Sequence, residues 1–371
     1  MFYSKYWNEE TKTDCKNFLL HEMKNDIDDC EDNGFIHPKI FKKISEKGYF
    51  DSIGNNFKED FYLYATVLKE IAKVSGSLAL SYHINYLSGY AITTYIKDST
   101  RQSKYLDAIK KDGKICAFAL TEPMHGSDIS NLDTKITSDN EGYNLSGIKK
   151  YIVNGVNADY YIVAGQKEED IYTVLIDREE NGDKIQSEKH KTLGVKGSGL
   201  GLVTFNNAKV QKENLLGTNI KDILKIINFD RIGSIIMALG MAEAAFEKAL
   251  IYIRERRQFG KSIADFQGIQ FIIAEMTASL KVIDHLVDLT VKDFRNNEVD
   301  MLSLAINKAE CTRLMEDIVS KSIDIMGGSG YLEEFEVERI YRDSKSVSIG
   351  GGTKEVLKNL VGKQMVYKYK I

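Results

Sequence analysis

Proline is nearly missing: Pro38 and Pro123 are the only two in 371 residues, so it marks neither linkers nor domain boundaries. The four cysteines, Cys15, Cys30, Cys116 and Cys311, lie far apart with no Cys-x-x-Cys pair. That spacing argues against a zinc site and a disulfide framework, so no metal is expected, and it suits reduced thiols in a cytosol. Charge of one sign is lacking as well. Fifty Lys and Arg against 54 Asp and Glu give a net charge of −4 with no sustained basic block. This excludes the electrostatic footprint of a nucleic-acid binder and a polybasic membrane anchor. No apolar run reaches the length of a bilayer span. The opening stretch MFYSKYWNEE has acids by residue 9 and no apolar run behind a basic start, so no secretory signal is expected. These absences predict a soluble, cytoplasmic protein without tandem repeats or low-complexity tracts.

What is present is core-forming material: 43% hydrophobic residues with 16 Phe and 20 Tyr, enough for two or three packed regions. Over residues 1–115 apolar positions recur at helical spacing, as in TDCKNFLLHEMKNDIDDC and DFYLYATVLKEIAKVSGSLALSYHINYLSGYAITTYI. Over 116–220 the texture changes to short runs such as YYIVAGQ, IYTVLID and LVTFNNAKV, separated by turns at DNEGY, NGVN and EENGD. Over 221–371 long helical periodicity returns in three runs, each long enough for a bundle helix. The predicted class is α+β, in the order helical domain, β domain, helical domain.

Several glycine clusters invite a functional reading. Gly197-Ser198-Gly199-Leu200-Gly201 is followed by a strand pattern rather than a helix, so it predicts a β-turn and not a dinucleotide fingerprint. In SIGGGTKEV, Gly350 to Gly352 precede a helical pattern that Thr353 can cap, and either a plain cap or an anion site fits. Gly327, Gly328 and Gly330 end another helical pattern.

Taken together, these segments resemble the acyl-CoA dehydrogenase family of flavoproteins over nearly the whole chain. FALTEPMHGSD (118–128) is similar to the family's Thr-Glu-Pro-x-x-Gly-Ser-Asp segment, and KKYIVNG (149–155) to its Trp-Ile-Thr/Ser-Asn-Gly segment. ERRQFGKSIADFQ, MGGSGY, ERIYRD and GGTKEV follow in the family's order. The resemblance implies an N-terminal helical domain, a central β-barrel or sandwich and a C-terminal four-helix bundle. It also implies FAD between the last two, completed by a neighbouring subunit of a homotetramer or homodimer. By position, Phe118, Leu120, Thr121, Gly126 and Ser127 would line the flavin, with Ser127 also near the substrate's pantetheine. Tyr151, Ile152 and Val153 would cover the other side of the ring. Arg256, Phe266, Gln267, Asp324, Gly327 and Gly328 would hold the ADP half of a partner's flavin, and Thr353 and Glu355 would close over the cofactor. Asn228, Arg231 and Gly351 fall at substrate-side positions.

The family's reaction abstracts an α-proton with a carboxylate while the β-hydride moves to the flavin. In many members the base is a Glu directly before the Gly-Thr of the last motif, where this chain has Gly351. Other members carry it on the helix opening the C-terminal domain, directly before an Arg. That position is Asp230, before Arg231. The resemblance therefore implies an FAD-dependent acyl-thioester dehydrogenase with Asp230 as base, acting on an acyl-CoA or an acyl-carrier protein in biosynthesis, with an electron-transfer flavoprotein as acceptor. Val153 in place of a hydroxyl residue, Tyr151 in place of Trp, Asp324 in place of Gln and Asn228 in place of Asp mark a specialised member. A flavin-dependent monooxygenase or N-oxygenase on the same fold, or a redox-silent flavin-binding scaffold, are the competing readings.

Overall fold

The computed structural model describes residues 7–54, 57 and 59–368; the first six residues of MFYSKYWNEE lie outside them. Six helices come first: α1 (Glu9–Asn17), α2 (Lys24–Asn33), α3 (Pro38–Glu46), α4 (Phe61–Val74), α5 (Gly76–Tyr95) and α6 (Ser99–Asp112). The run TDCKNFLLHEMKNDIDDC, which reads as one periodic segment, is broken by a π turn at Phe18–Glu22, closed by Met23 N–H donating to the Phe18 carbonyl. The longer run after it is divided at Ser75. Its extended backbone (φ −151, ψ 120) stops α4, and its hydroxyl accepts from Leu78 N to start α5.

The β region holds β1 (Cys116–Ala119), β2 (Lys135–Ser138), β3 (Gly142–Ile152), β4 (Tyr160–Lys167), β5 (Asp170–Asp177), a short α7 (Arg178–Asn181), β6 (Ile185–Lys189), β7 (Gly201–Gln211) and β8 (Leu215–Gly217). They form one sheet in the order β6-β7-β3-β2-β4-β5-β8, with β1 also on β4. Both β1 and β2 run parallel to β4, β1 against Tyr160 to Val163 and β2 at Gln166. The chain between them therefore leaves the edge of β4 and returns to it further along. That excursion, residues 120–134, contains the TEPMHGSD segment. Every residue of β4 but the last is buried, which accounts for its unbroken apolar run.

The C-terminal region begins with α8 (Ile220–Glu255), a 36-residue helix. After the small hairpin β9 (Arg257–Gln258) and β10 (Lys261–Ser262) come α9 (Gln267–Asn296), α10 (Met301–Met326), α11 (Val337–Ile349) and α12 (Lys354–Lys368). An aromatic core joins this bundle to the first helices: Phe61 lies 4.3 Å from Phe294, and Phe229 stacks on Tyr90 at 4.9 Å between ring centroids. Among the described residues no helix is long and apolar enough to cross a membrane. All four cysteines are buried and unpaired.

The glycine-rich segment at 194–201 proves to be a junction. A Cβ on Gly194 would come 2.4 Å from the backbone of Arg342 in α11, and one on Gly197 would come 2.9 Å from the Cys30 carbonyl in α2. Val195 between them sits at φ 47, a strained region for a β-branched residue, and its N–H donates to Asp343 Oδ1 at 2.6 Å. Burial pushes the Asp343 carboxyl up to about 6, against the Val195 amide that favours its charge. An acid with a raised folded-state value favours the fold below its unfolded value of 3.8 and loses that contribution as pH rises through about 6. A rise of this size is worth about 3 kcal/mol. Asp343→Asn keeps an acceptor for Val195 without the charge, so the stability of the variant relative to the parent should improve between pH 4 and 7. Thermal midpoints of both proteins across that range test this; a difference that stays constant with pH would refute it.

Candidate active site

Asp230 lies about three turns into α8, followed by a buried Arg231. Arg231 Nε donates to the Gly351 carbonyl at 3.2 Å, and its Nη1 donates to Asn228 Oδ1 at 3.0 Å. A second cation holds the same turn: the buried Lys308 of α10 donates to the carbonyls of Ser348 (2.9 Å) and Gly352 (2.8 Å). Burial pulls the Lys308 ammonium down to about 8, with the Asp230 charge opposing. Gly351 and Gly352 take φ 66 and 104, the left-handed side that glycine enters freely. Thr353 then caps α12, its hydroxyl accepting from Val356 N at 3.3 Å, and Glu355 points outward, exposed. The consequence of this clamping is specific: a Cβ built on Gly351 would stand 2.9 Å from Asp230 Oδ2. The two positions at which the family resemblance sets a base are neighbours here, and one of them bears a carboxylate.

Two strand ends meet near one another in the β domain. Lys150 N donates to the Thr121 carbonyl at 2.8 Å, joining the exit of β1, with Phe118 and Leu120 half-buried, to the exit of β3. There the register slips between Lys149 and Ile152. Tyr151 is thrown out at φ 62 with 57% exposure, while Ile152 is buried and Val153 packs partly against the core. Asn154, fully buried at φ 60, locks this exit: its amide donates to the Cys116 carbonyl and its oxygen accepts from Ser81 Oγ. Glu122, also buried, accepts from the amides of Asp133 (2.5 Å) and Thr134 (2.9 Å) and from Lys149 Nζ (2.8 Å), closing the 120–134 excursion at its base. Burial works against the Glu122 charge, but Lys149 and the Thr134 amide outweigh it and hold the carboxyl below the usual range. Glu122, His125 and Asp133 are the one group among the described residues close enough to share a metal ion, yet both oxygens of Glu122 are already engaged. Gly126 and Ser127 lie exposed on the same excursion, and a Cβ on Gly126 would meet nothing.

At the far end of α8 a cleft of about 600 Å³ is lined by Arg256, Asp324, Gly327, Gly328 and Tyr252, among others. Gly327 ends α10 at φ 60, and a Cβ on Gly327 or Gly328 would meet nothing, so the backbone here is open to a ligand. Phe266 and Gln267 start α9 and are not among the residues lining the cleft, which Ile263 reaches; Phe266 lies under the Lys261 ammonium at 4.1 Å. Two groups suit a flavin dinucleotide: the Arg256 guanidinium at the cleft for pyrophosphate, with open space over Gly327 and Gly328 but with the Asp324 carboxylate on the same wall, and the exposed Tyr151 at the β3 exit for a flat ring. Sequence reading missed Glu122, Lys149, Asn154 and Lys308. The first three stand inside the quoted motifs, and that resemblance was the available signal; Lys308 stands in an ordinary helical run and gave none.

Residues 117–208 match the acyl-CoA dehydrogenase middle domain, and residues 220–366 match the acyl-CoA dehydrogenase C-terminal domain. The chain is 30% identical to the caffeyl-CoA reductase-Etf complex subunit CarC of Acetobacterium woodii, over 98% of this chain and 100% of that one. It is 28% identical to a 3-(aryl)acrylate reductase of Clostridium sporogenes, over 95% and 96% of the two chains. Its fold superposes on butyryl-CoA dehydrogenase from Megasphaera elsdenii with a TM-score of 0.90 at 25% identity, covering 99% of both chains. With helices before and after a central sheet, and both domain matches in order, the chain belongs to the acyl-CoA dehydrogenase family of FAD-dependent acyl-thioester oxidoreductases.

Proposed function

We propose that Asp230 is the base that removes the α-proton of a bound acyl thioester. The observation that carries this is the 2.9 Å between Asp230 Oδ2 and the Cβ position of Gly351. A residue without a side chain at 351 leaves room for the shorter carboxylate arriving from α8. Arg231 and Lys308 fix the turn's carbonyls, so the base and the turn keep one relative position. Phe118, Leu120, Thr121, Gly126, Ser127, Tyr151, Ile152 and Val153 would hold the ring half of FAD, with Thr353 and Glu355 above it. Bound there, FAD supplies the acceptor for the β-hydride. Asp230 takes the α-proton, and the electron pair of the broken C–H bond becomes the α,β double bond. Ser127, Asn228, Arg231 and Gly351 are the substrate-side positions.

Twenty-six residues of chain, about 39 Å of helix, separate Asp230 from Arg256 along α8, well beyond the reach of one flavin adenine dinucleotide. The cleft lined by Arg256, Asp324, Gly327 and Gly328, together with Phe266 and Gln267 at the start of α9, is therefore read as serving the flavin of a second subunit in a homodimer or homotetramer. Phe259 (93% exposed) and Tyr331 (81% exposed) beside it supply apolar surface for that contact. The substrate is read as an acyl-CoA, or an acyl-carrier-protein thioester of a biosynthetic route, in the cytoplasm, with an electron-transfer flavoprotein as redox partner. Two named relatives are reductases, and the same residues run in reverse would protonate the α-carbon of an enoyl thioester. The test is anaerobic titration of the yellow protein with short acyl-CoA and acyl-carrier thioesters, and of its dithionite-reduced form with enoyl thioesters. Bleaching in the first or recolouring in the second is expected, and silence in both would overturn the reading.

A further inference from the structure

Behind Asp230 runs a chain of polar groups that none of the quoted family segments includes. Tyr64 of α4 and His83 of α5 are fully buried, while the Asp230 side chain is 19% exposed. Tyr64 Oη lies 2.7 Å from His83 Nδ1, and His83 Nε2 lies 3.2 Å from Asp230 Oδ1. The imidazole lies against Phe229 at 5.7 Å with 21° between planes, so its edge has little freedom to rotate. Burial, with lesser contributions from Tyr86 and Asp230, pushes the Tyr64 phenol well above its ordinary value. A carboxylate can only accept, so the 3.2 Å contact to Asp230 puts a proton on Nε2, and Nδ1 is left to accept from the Tyr64 hydroxyl.

The helix bearing Asp230 has made room for this ring. A Cβ on Gly233 would stand 2.3 Å from both Cε1 and Nδ1 of His83. Glycine is a poor helix former in a helix interior, so this close approach stands against local propensity. With Oδ1 occupied by His83, the oxygen beside Gly351 is Oδ2, the one left to meet a ligand.

We propose that His83, its tautomer fixed between Asp230 and Tyr64, is the positioning residue that holds the Asp230 carboxylate with Oδ2 directed over the Gly350–Gly352 turn. This rests on Asp230 being the base. Asp has one methylene fewer than the family's Glu, so its reach depends on a single rotamer, and a buried N–H donor selects it. The other groups facing Asp230 are Arg231 on its own helix and Lys308 from α10, both tied to the turn's carbonyls.

His83→Met, His83→Gln and Tyr64→Phe, each as holoenzyme, test the assignment, with Asp230→Asn as reference. His83→Met is expected to lower kcat about 100-fold, the scale of an ångström-sized misplacement, with KM and flavin content little changed and the acid limb of kcat/KM moved to higher pH. His83→Gln, which keeps an N–H near the Nε2 position, should recover most of the loss. In 15N-histidine spectra the parent His83 should carry its proton on Nε2, and Tyr64→Phe should mix the two tautomers. Parent-like kcat and pH profile in His83→Met, or no recovery in His83→Gln, would overturn the proposal. Should His83→Met fail to fold, unchanged kcat, limb and tautomer in Tyr64→Phe overturn it instead. If Asp230→Asn itself keeps its turnover, the base assignment has failed; the tautomer then still reports on the Tyr64–His83–Asp230 chain separately.

Discussion

Asp230→Asn should retain FAD and bind thioester while kcat falls about 10²- to 10⁴-fold, the range that a positioned general base contributes. The amide keeps the shape and can still accept from His83, so the loss reports basicity rather than packing. Two companions sharpen it. Asp230→Glu moves the carboxylate one methylene towards the space that Gly351 leaves empty, and is expected within about tenfold of the parent. The double variant Asp230→Ala, Gly351→Glu relocates the base to the turn. At φ 66 the new Glu would pay about 1–2 kcal/mol for left-handed backbone, a cost a protein of this size can absorb. It would also no longer face a carboxylate 2.9 Å from its Cβ. Partial return of turnover over Asp230→Ala alone is the expected result. Steady-state kinetics with a bleaching thioester read all three, and parent-like kcat in Asp230→Asn would remove Asp230 from the chemistry.

The order of helices, sheet and bundle was legible because each type of element has its own apolar period, and the helix-to-strand change comes between the end of α6 at Asp112 and the start of β1 at Cys116. The candidate base was legible only as a pair of alternatives, since Asp230 and Gly351 are 121 positions apart and nothing local says that they touch. The interior of the site was not legible. His83 and Tyr64 fall on helical runs rich in apolar and aromatic residues, where a buried polar group has no pattern of its own. Gly233 reads as a weak point in α8 until His83 is found against it. The GSG segment could be excluded as a fingerprint from its neighbours, but its role in joining α2 and α11 to the sheet depends on contacts across the chain.

Lys149→Met should destabilise the protein by about 3–5 kcal/mol, the usual cost of stranding one partner of a buried ion pair. Lys149 and Glu122 are both fully buried as side chains and 2.8 Å apart, and Lys149 also donates to the Leu120 carbonyl at 2.9 Å. Removing the ammonium leaves the Glu122 carboxylate with the amides of Asp133 and Thr134 alone. Protonating it is then the way to relieve the buried charge, so the variant should be least impaired at low pH and most impaired above the ordinary carboxylate range. The effect should reach the cofactor, because the same lysine anchors Leu120 and lies two residues before Tyr151, so the exits of β1 and β3 separate together. Glu122→Gln, Lys149→Met removes both charges and should recover part of the stability, as buried pairs often tolerate joint replacement by groups of similar volume. Flavin release on thermal melting, followed by its fluorescence, separates the cases. If Lys149→Met melts with the parent, the pair does not hold the excursion. If the double variant recovers stability but not flavin retention, the geometry of the two strand exits, rather than the charge, is what the pair supplies to the site.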